Sequence, residues 1–197
     1  MGLYGCRMWC ALQHAMALED LRPVLSAGPQ RKALDVGAGS GYMTAAMALL
    51  QSPPDMAPAR PGQAQPLVVG IEHIPQLAQQ AIENITRDQP DLLASGRVRI
   101  AVSDGRLGYP SEEPFDAIYV GAAALKEPEQ LVKQLAPGGR MVVPVGELGH
   151  QILTVLQRGA DGRVQATKKM ESVFVPLTDA RTQWSAAEPP PPPPPST

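Results

Sequence analysis

The sequence predicts an α/β fold: a mostly parallel sheet with helices on both faces and an antiparallel hairpin at its C-terminal end. Short apolar runs bounded by turn residues alternate with segments at helical spacing, the pattern of successive βαβ units. A glycine-rich turn joins the first of these runs to the next helix, and the last two strand-like runs have no helix between them.

Residues 9–25 carry Leu12, Met16, Leu18, Leu21, Val24 and Leu25 at helical spacing before Gly28 and Pro29 break the chain. A short apolar strand is predicted over 32–36, running straight into Gly37. Residues 42–50 (YMTAAMALL) are rich in strong helix formers and contain no breaker. A second buried strand is predicted over 67–71. Residues 75–86 follow as a helix with Leu77, Ala78, Ala81, Ile82 and Ile85 on one face and Pro75 in its first turn, where a missing N–H costs nothing. Strands over 98–102 and 117–120, a helix over 127–135 and a strand over 141–145 complete the alternation. The runs 151–157 (QILTVLQ) and 170–175 (MESVFV), separated by the turn residues of 158–163, predict the hairpin. The chain thus reads as one domain over 1–185. Residues 51–66, with Pro53, Pro54, Pro58, Pro61 and Pro66, form a Pro-rich surface insertion. Residues 186–197, with an unbroken run from Pro189 to Pro195, form a disordered Pro-rich tail.

Composition excludes several classes of function. Seventeen Lys and Arg against nineteen Asp and Glu give a net charge of −2 with no charge run, which argues against nucleic acid as a partner. The two cysteines, Cys6 and Cys10, cannot build a disulfide scaffold, so a reducing, cytoplasmic setting is expected. No apolar stretch reaches the ~20 residues of a membrane span. Arg7 and His14 interrupt the apolar N-terminus, which therefore makes a poor signal peptide. His14 and His73 have no ligand partners at metal-site spacing, and no metal is expected.

The chemistry gathers at Asp35-Val-Gly-Ala-Gly-Ser-Gly41, between a strand and a helix. Gly37, Gly39 and Gly41 let the backbone turn sharply and approach a ligand closely, while the helix after them points its first amides at that ligand. The third glycine falls one position early for the dinucleotide fingerprint. Glu72 follows the second strand, where a carboxylate can accept hydrogen bonds from both hydroxyls of a ribose. Asp104 follows the third, within reach of an adenine amino group. Asp35 at the turn would repel a pyrophosphate but attract an ammonium. The charges therefore favour S-adenosyl-L-methionine, which carries an ammonium and a sulfonium but no phosphate, over NAD or FAD. Each acid also has a purely structural role open to it, as a helix cap, a first-turn acid or a turn opener. Trp9 and Trp184 read as packing residues.

The runs ALDVGAGSGYMTAAMA, VVGIEHIPQLAQQAIENI, VSDGRLGY, FDAIYVGAAA, LVKQLAPGGRMVVPVG and VFVPLTDARTQW closely resemble the protein-L-isoaspartate (D-aspartate) O-methyltransferase family, from about His14 to Trp184. The resemblance implies a Rossmann-like class I S-adenosylmethionine-dependent methyltransferase fold. It implies transfer of the methyl group to the free carboxylate of isoaspartyl residues in damaged proteins, with S-adenosyl-L-homocysteine as product and cyclisation of the methyl ester to a succinimide as the route of repair. It places cofactor contacts on His14, Asp35, Gly37, Gly39, Gly41, Glu72, His73, Asp104, Gly105, Thr178 and Gln183, and a substrate contact on Val175. Isoaspartyl-containing peptides and proteins are the implied partners.

The chain departs from the family pattern at the short motif before His14. The family's active-site serine corresponds here to Trp9, so no catalytic residue is carried over, and the chain begins short of the family's N-terminal helical segment. A carboxylate with a pKa near ~4 is already ionised at neutral pH and needs no general base, which leaves orientation of the reactants as the main source of rate. Trp9 and the proline tail together motivate a second reading, a catalytically impaired relative that binds S-adenosylmethionine and serves as an interaction module, the tail docking SH3 or WW domains. A small-molecule methyltransferase on the same fold is a third. A monomer is expected.

Overall fold

The computed structural model describes residues 4–28, 30–51 and 65–178, the first seven of them by backbone alone. Residues 52–64, in the Pro-rich segment, and residues 179–197, with Gln183, Trp184 and the tail, lie outside the described residues.

Alternation within the strands builds the architecture. In β1 (Lys32–Val36), β2 (Leu67–Glu72) and β4 (Phe115–Val120), neighbouring residues fall into two different core clusters. Ala33, Val68 and Ala117 pack with Leu21, Leu25, Met43 and Met47, whereas Leu34, Val69 and Ile118 pack with Leu131, Leu135 and Met141. Successive side chains of a strand point to opposite faces, so a sheet buried on both sides needs apolar residues at nearly every position. The helices α1 (Tyr4–Leu25) and α2 (Tyr42–Gln51) cover the first face, and α5 (Glu129–Lys133) lies on the second. Between them come α3 (Pro75–Asp88), α4 (Pro90–Ala94) and β3 (Val98–Val102).

The seven strands lie in the order β3-β2-β1-β4-β5-β6-β7. Pairing is parallel from β3 through β5 (Leu135–Val145) and antiparallel from β5 to β6 (Gln151–Arg158) and from β6 to β7 (Val164–Ser172). The chain runs outward from β1 in one direction and from β4 in the other, so the switch point falls between them. Such a point opens a crevice at the carboxyl ends of the strands.

Several boundaries differ from the sequence reading, among them the starts of β4, at Phe115 rather than 117, and of β5, at Leu135 rather than 141. The helix expected over 127–135 shrinks to Glu129–Lys133, because Leu135 already pairs with Phe115 as the first residue of β5. The last strand begins at Val164 rather than at residue 170 and ends at Ser172, so 173–175 lie beyond the sheet. β7 is an edge strand exposed at every position from 165 to 169, so both its faces meet solvent there and its largely polar run VQATKK carries no apolar alternation. The short helix α4 was not expected. No helix among the described residues is long and apolar enough to cross a membrane.

Candidate active site

The first strand delivers the chain into the glycine turn with φ of +85° at Gly37, +52° at Gly39 and +83° at Gly41, a conformation that side chains other than glycine rarely adopt. The Gly37 and Ala38 amides donate to the Ile71 carbonyl at 2.9 and 3.0 Å, and the Gly121 amide donates to the Val36 carbonyl at 2.8 Å. These bonds draw the ends of β1, β2 and β4 together around a cleft of about 200 Å³.

Glu72 is the best-defined polar group in this cleft. It ends β2 with its side chain buried, and one carboxylate oxygen accepts from the Gly39 amide while the other accepts from the Ile74 amide, both at 3.1 Å. The carboxylate is thereby fixed between the glycine turn and the start of α3, with lone pairs left for a ligand. His73 stands beside it, its Nε2 3.9 Å from Glu72 Oε1. Gly37, Gly39, Glu72, His73, Gly105, Val175 and Thr178 all line the cleft.

The segment carrying those last two residues is held in place by named bonds. The Ala123 amide donates to the Val175 carbonyl and the Leu177 amide to the Ala123 carbonyl, each at 2.8 Å. The buried Gln151 side chain accepts from the Phe174 amide at 2.6 Å and donates to the Phe174 carbonyl at 3.0 Å. Residues 173–178 thus cross the end of the sheet as a strap closing one wall of the cleft.

The remaining predicted residues stand outside the lining. Asp35 lies beneath the turn, fully buried on the face that α2 covers, where the Thr44 hydroxyl donates to its Oδ2 at 2.6 Å. Burial pushes its carboxyl up to about 7 against the opposing effect of the Thr44 bond, with the nearby Glu72 charge adding to the rise. Its Oδ1 has no protein partner. Gly41 opens α2 and lines a groove between α2 and α3 instead. Asp104 is held by Arg106, whose guanidinium reaches both carboxylate oxygens at 2.7 to 3.1 Å, and this ion-paired bond keeps the carboxyl below its usual range. Its neighbour Gly105 packs tightly, since a Cβ there would stand 2.7 Å from Val36 Cγ1. His14, on α1, stacks on Tyr42 with centroids 5.7 Å apart and meets Tyr119 edge-on at 6.0 Å, and burial lowers its pKa. Trp9 is on α1, with its side chain outside the described residues, as are the side chains of Cys6 and Cys10.

Sequence reading missed Leu77, Gly121, Ala122, Pro176 and Leu177 in the lining, and Gln151 behind it. The small residues after FDAIYV were the available signal for Gly121 and Ala122, because only a short side chain lets β4 end beside the glycine turn.

The fit to a nucleoside bearing a cation rests on three features. Glu72 offers a fixed pair of acceptor oxygens, the glycine turn presents bare backbone, and Asp35 leaves a buried oxygen without a partner below that turn. A mostly parallel seven-stranded sheet ending in an antiparallel hairpin, with this cleft at its switch point, defines the class of Rossmann-like S-adenosylmethionine-dependent methyltransferases. The chain belongs to the protein-L-isoaspartate(D-aspartate) O-methyltransferase family, whose model matches residues 5–182. A protein-L-isoaspartate O-methyltransferase of Triticum aestivum is 44% identical over 181 residues, covering 91% of this chain and 73% of the relative. One of Caenorhabditis elegans is 40% identical over 183 residues, covering 92% and 75%. A Plasmodium falciparum crystal structure described as a protein-L-isoaspartate O-methyltransferase, in complex with S-adenosyl-L-homocysteine, superposes with a TM-score of 0.71 at 32% identity, covering 84% of this chain and 72% of that one. Relatives with these names favour the enzyme over the interaction module.

Proposed function

We propose that this chain transfers a methyl group from S-adenosyl-L-methionine to the free carboxylate of isoaspartyl residues in damaged proteins, leaving S-adenosyl-L-homocysteine. The observation that carries the reading is the Glu72 carboxylate, fixed by the Gly39 and Ile74 amides in a cleft that residues 175–178 of the strap also line. When bound, the cofactor supplies an electrophilic methyl group on a sulfonium. Glu72 accepts hydrogen bonds from ribose hydroxyls, and His73 flanks it. Gly37 and Gly39 admit the amino-acid portion of the cofactor against bare backbone, and Asp35 beneath them supplies the negative charge opposite the ammonium, a charge that the cation itself would favour against the burial that raises the carboxyl to about 7. Asp104 and Gly105 bound the adenine, with Arg106 fixing the aspartate. His14 with Tyr42, together with Thr178 and Gln183, completes the cofactor's surroundings, and the Val175 backbone holds the isoaspartyl substrate.

No residue is required as a base, because the attacking carboxylate is ionised at neutral pH. What this chain contributes is alignment: the strap and the glycine turn fix the two reactants in one geometry. No step of this transfer calls on the residue at position 9. The domain over 1–185 acts as a monomer in the cytoplasm, consistent with two cysteines and no disulfide scaffold. The proline run of the tail suits SH3 or WW domains.

The test is methyl transfer to an isoaspartyl peptide beside the same peptide with normal aspartate. Transfer to the first alone is expected. Binding of S-adenosylhomocysteine without transfer to either peptide would overturn the reading.

A further inference from the structure

Three loops meet beside the cleft, following β4, β5 and β7. The Gly146 amide donates to the Ala124 carbonyl at 2.9 Å, the Ala123 amide donates to the Val175 carbonyl at 2.8 Å, and Gln151 clasps Phe174 through both its amide atoms. Around these bonds stand four large apolar side chains that face water: Leu125 is 78% exposed, Leu148 70%, Val173 74% and Val175 57%. Each is within three residues of one of the bonds that join the loops, which places all four on the loops that meet beside Val175 and the cleft.

Val173 and Val175 flank Phe174 and are both exposed, while Phe174 itself packs against the core. Leu148 occupies the turn between β5 and β6, where the Gly146 and Gly149 conformations shape the chain and no packing calls for leucine. A single exposed leucine means little, but four large apolar residues converging at the mouth of a cleft mark a binding surface.

The patch is continuous with the cleft, since Val175 belongs to both. A polypeptide that delivers an isoaspartyl carboxylate into the cleft must lead its neighbouring residues across this rim. We infer that the patch formed by Leu125, Leu148, Val173 and Val175 receives large apolar side chains within two residues of the isoaspartyl linkage, so that the enzyme selects damaged sites in apolar sequence. This inference rests on the proposed methyltransferase reading and adds a sequence preference to it. Such a preference suits a repair enzyme, because apolar segments are buried in intact proteins and reach solvent when damage unfolds them.

The experiment uses three fluorescein-labelled isoaspartyl peptides of equal length: one with Ser and Gly on both sides, one with Leu at both positions before the linkage, and one with Leu at both positions after it. Binding is read by anisotropy on the full chain saturated with S-adenosylhomocysteine, and methyl transfer is measured in parallel. At least one Leu peptide is expected to bind roughly tenfold more tightly than the polar one, as burial of even part of a leucine requires. Leu148→Ser and Leu125→Ser should each erase most of that gain, with binding of the polar peptide and the melting temperature unchanged. Affinities within about twofold for all three peptides would overturn the inference, as would a gain that survives both substitutions. A dimer that Leu148→Ser dissociates would also overturn it, because a second copy would then be the occupant. Equal methylation of all three peptides sinks the sequence preference and leaves the methyltransferase reading standing. Selective binding with no transfer does the reverse.

Discussion

Glu72 and Asp104 carry different loads although both follow buried strands. Glu72 spends both oxygens on backbone amides and is rigid before any ligand arrives, whereas Asp104 is rigid only through Arg106. Asp104→Ala is expected to weaken binding of S-adenosylhomocysteine by about 1 to 3 kcal/mol, the cost of deleting one partner of a partly buried hydrogen bond, as read by titration calorimetry. Unchanged affinity would remove Asp104 from the site. Both acids were legible in sequence because a carboxylate at the end of an apolar run is costly to bury and so has a reason to be there. Asp35 was legible as an acid at the turn but not as a buried one. Its burial follows from sharing a strand face with Ala33 and lying under Thr44, a contact set by the docking of α2. His14 could not be placed from spacing at all, since its ring neighbours Tyr42 and Tyr119 come from two other elements.

Elements were legible where an apolar run marks them and obscure where their residues are polar. The strands Lys32–Val36 and Val98–Val102 match their apolar runs end to end, while β7, exposed at every position from 165 to 169, hid its first six residues in a polar stretch. The strap after β7 was read as part of a strand, because the bonds that define it come from Ala123 and from the Gln151 side chain. Gln151→Leu keeps the side chain's bulk and removes both bonds to Phe174. It should raise the KM for an isoaspartyl peptide several-fold and lower stability by roughly 1 to 3 kcal/mol through the two backbone groups left unpaired. A melt combined with peptide kinetics checks this; an unchanged KM would show that the strap is held without Gln151. Packing between β2 and α2 admits an equally local test. A Cβ at Gly70 would stand 2.6 Å from Thr44 Oγ1 and 2.8 Å from Ile100 Cδ1. Gly70→Ala is therefore expected to cost about 1 to 3 kcal/mol in a denaturant titration, the usual range for overpacking, and to displace the hydroxyl that Asp35 uses. No loss of stability would mean that α2 can shift away from the sheet at small cost.

Across the whole molecule the site is a product of topology, since the strand order reverses between β1 and β4 and the cleft opens there. The same arrangement buries Asp35 at the centre of the sheet, which ties global stability to pH. Its carboxyl titrates near 3.8 when unperturbed and at about 7 in the fold, chiefly because burial disfavours the charge. Between those values the folded chain holds a proton that the unfolded chain has released. The unfolded state binds fewer protons there, so stability falls as pH rises through this window. The contribution is fully present below about pH 4 and is lost above about pH 7. Asp104 acts in the opposite sense and in a separate range: held below 3.8 by Arg106, it adds stability above that value and loses it as pH falls further. Asp35→Asn preserves an oxygen acceptor for the Thr44 hydroxyl and removes the titration. Burial of His14 acts in the opposite sense just below pH 6.5, in both proteins alike, so the readout is the difference between them: at constant ionic strength the gap in melting temperature in the variant's favour should widen from about pH 5 to about pH 8. Parallel pH profiles for the two proteins would mean that Asp35 is already ionised throughout that range, and the buried Oδ1 would then need a cationic or hydrogen-bonding partner within the folded chain.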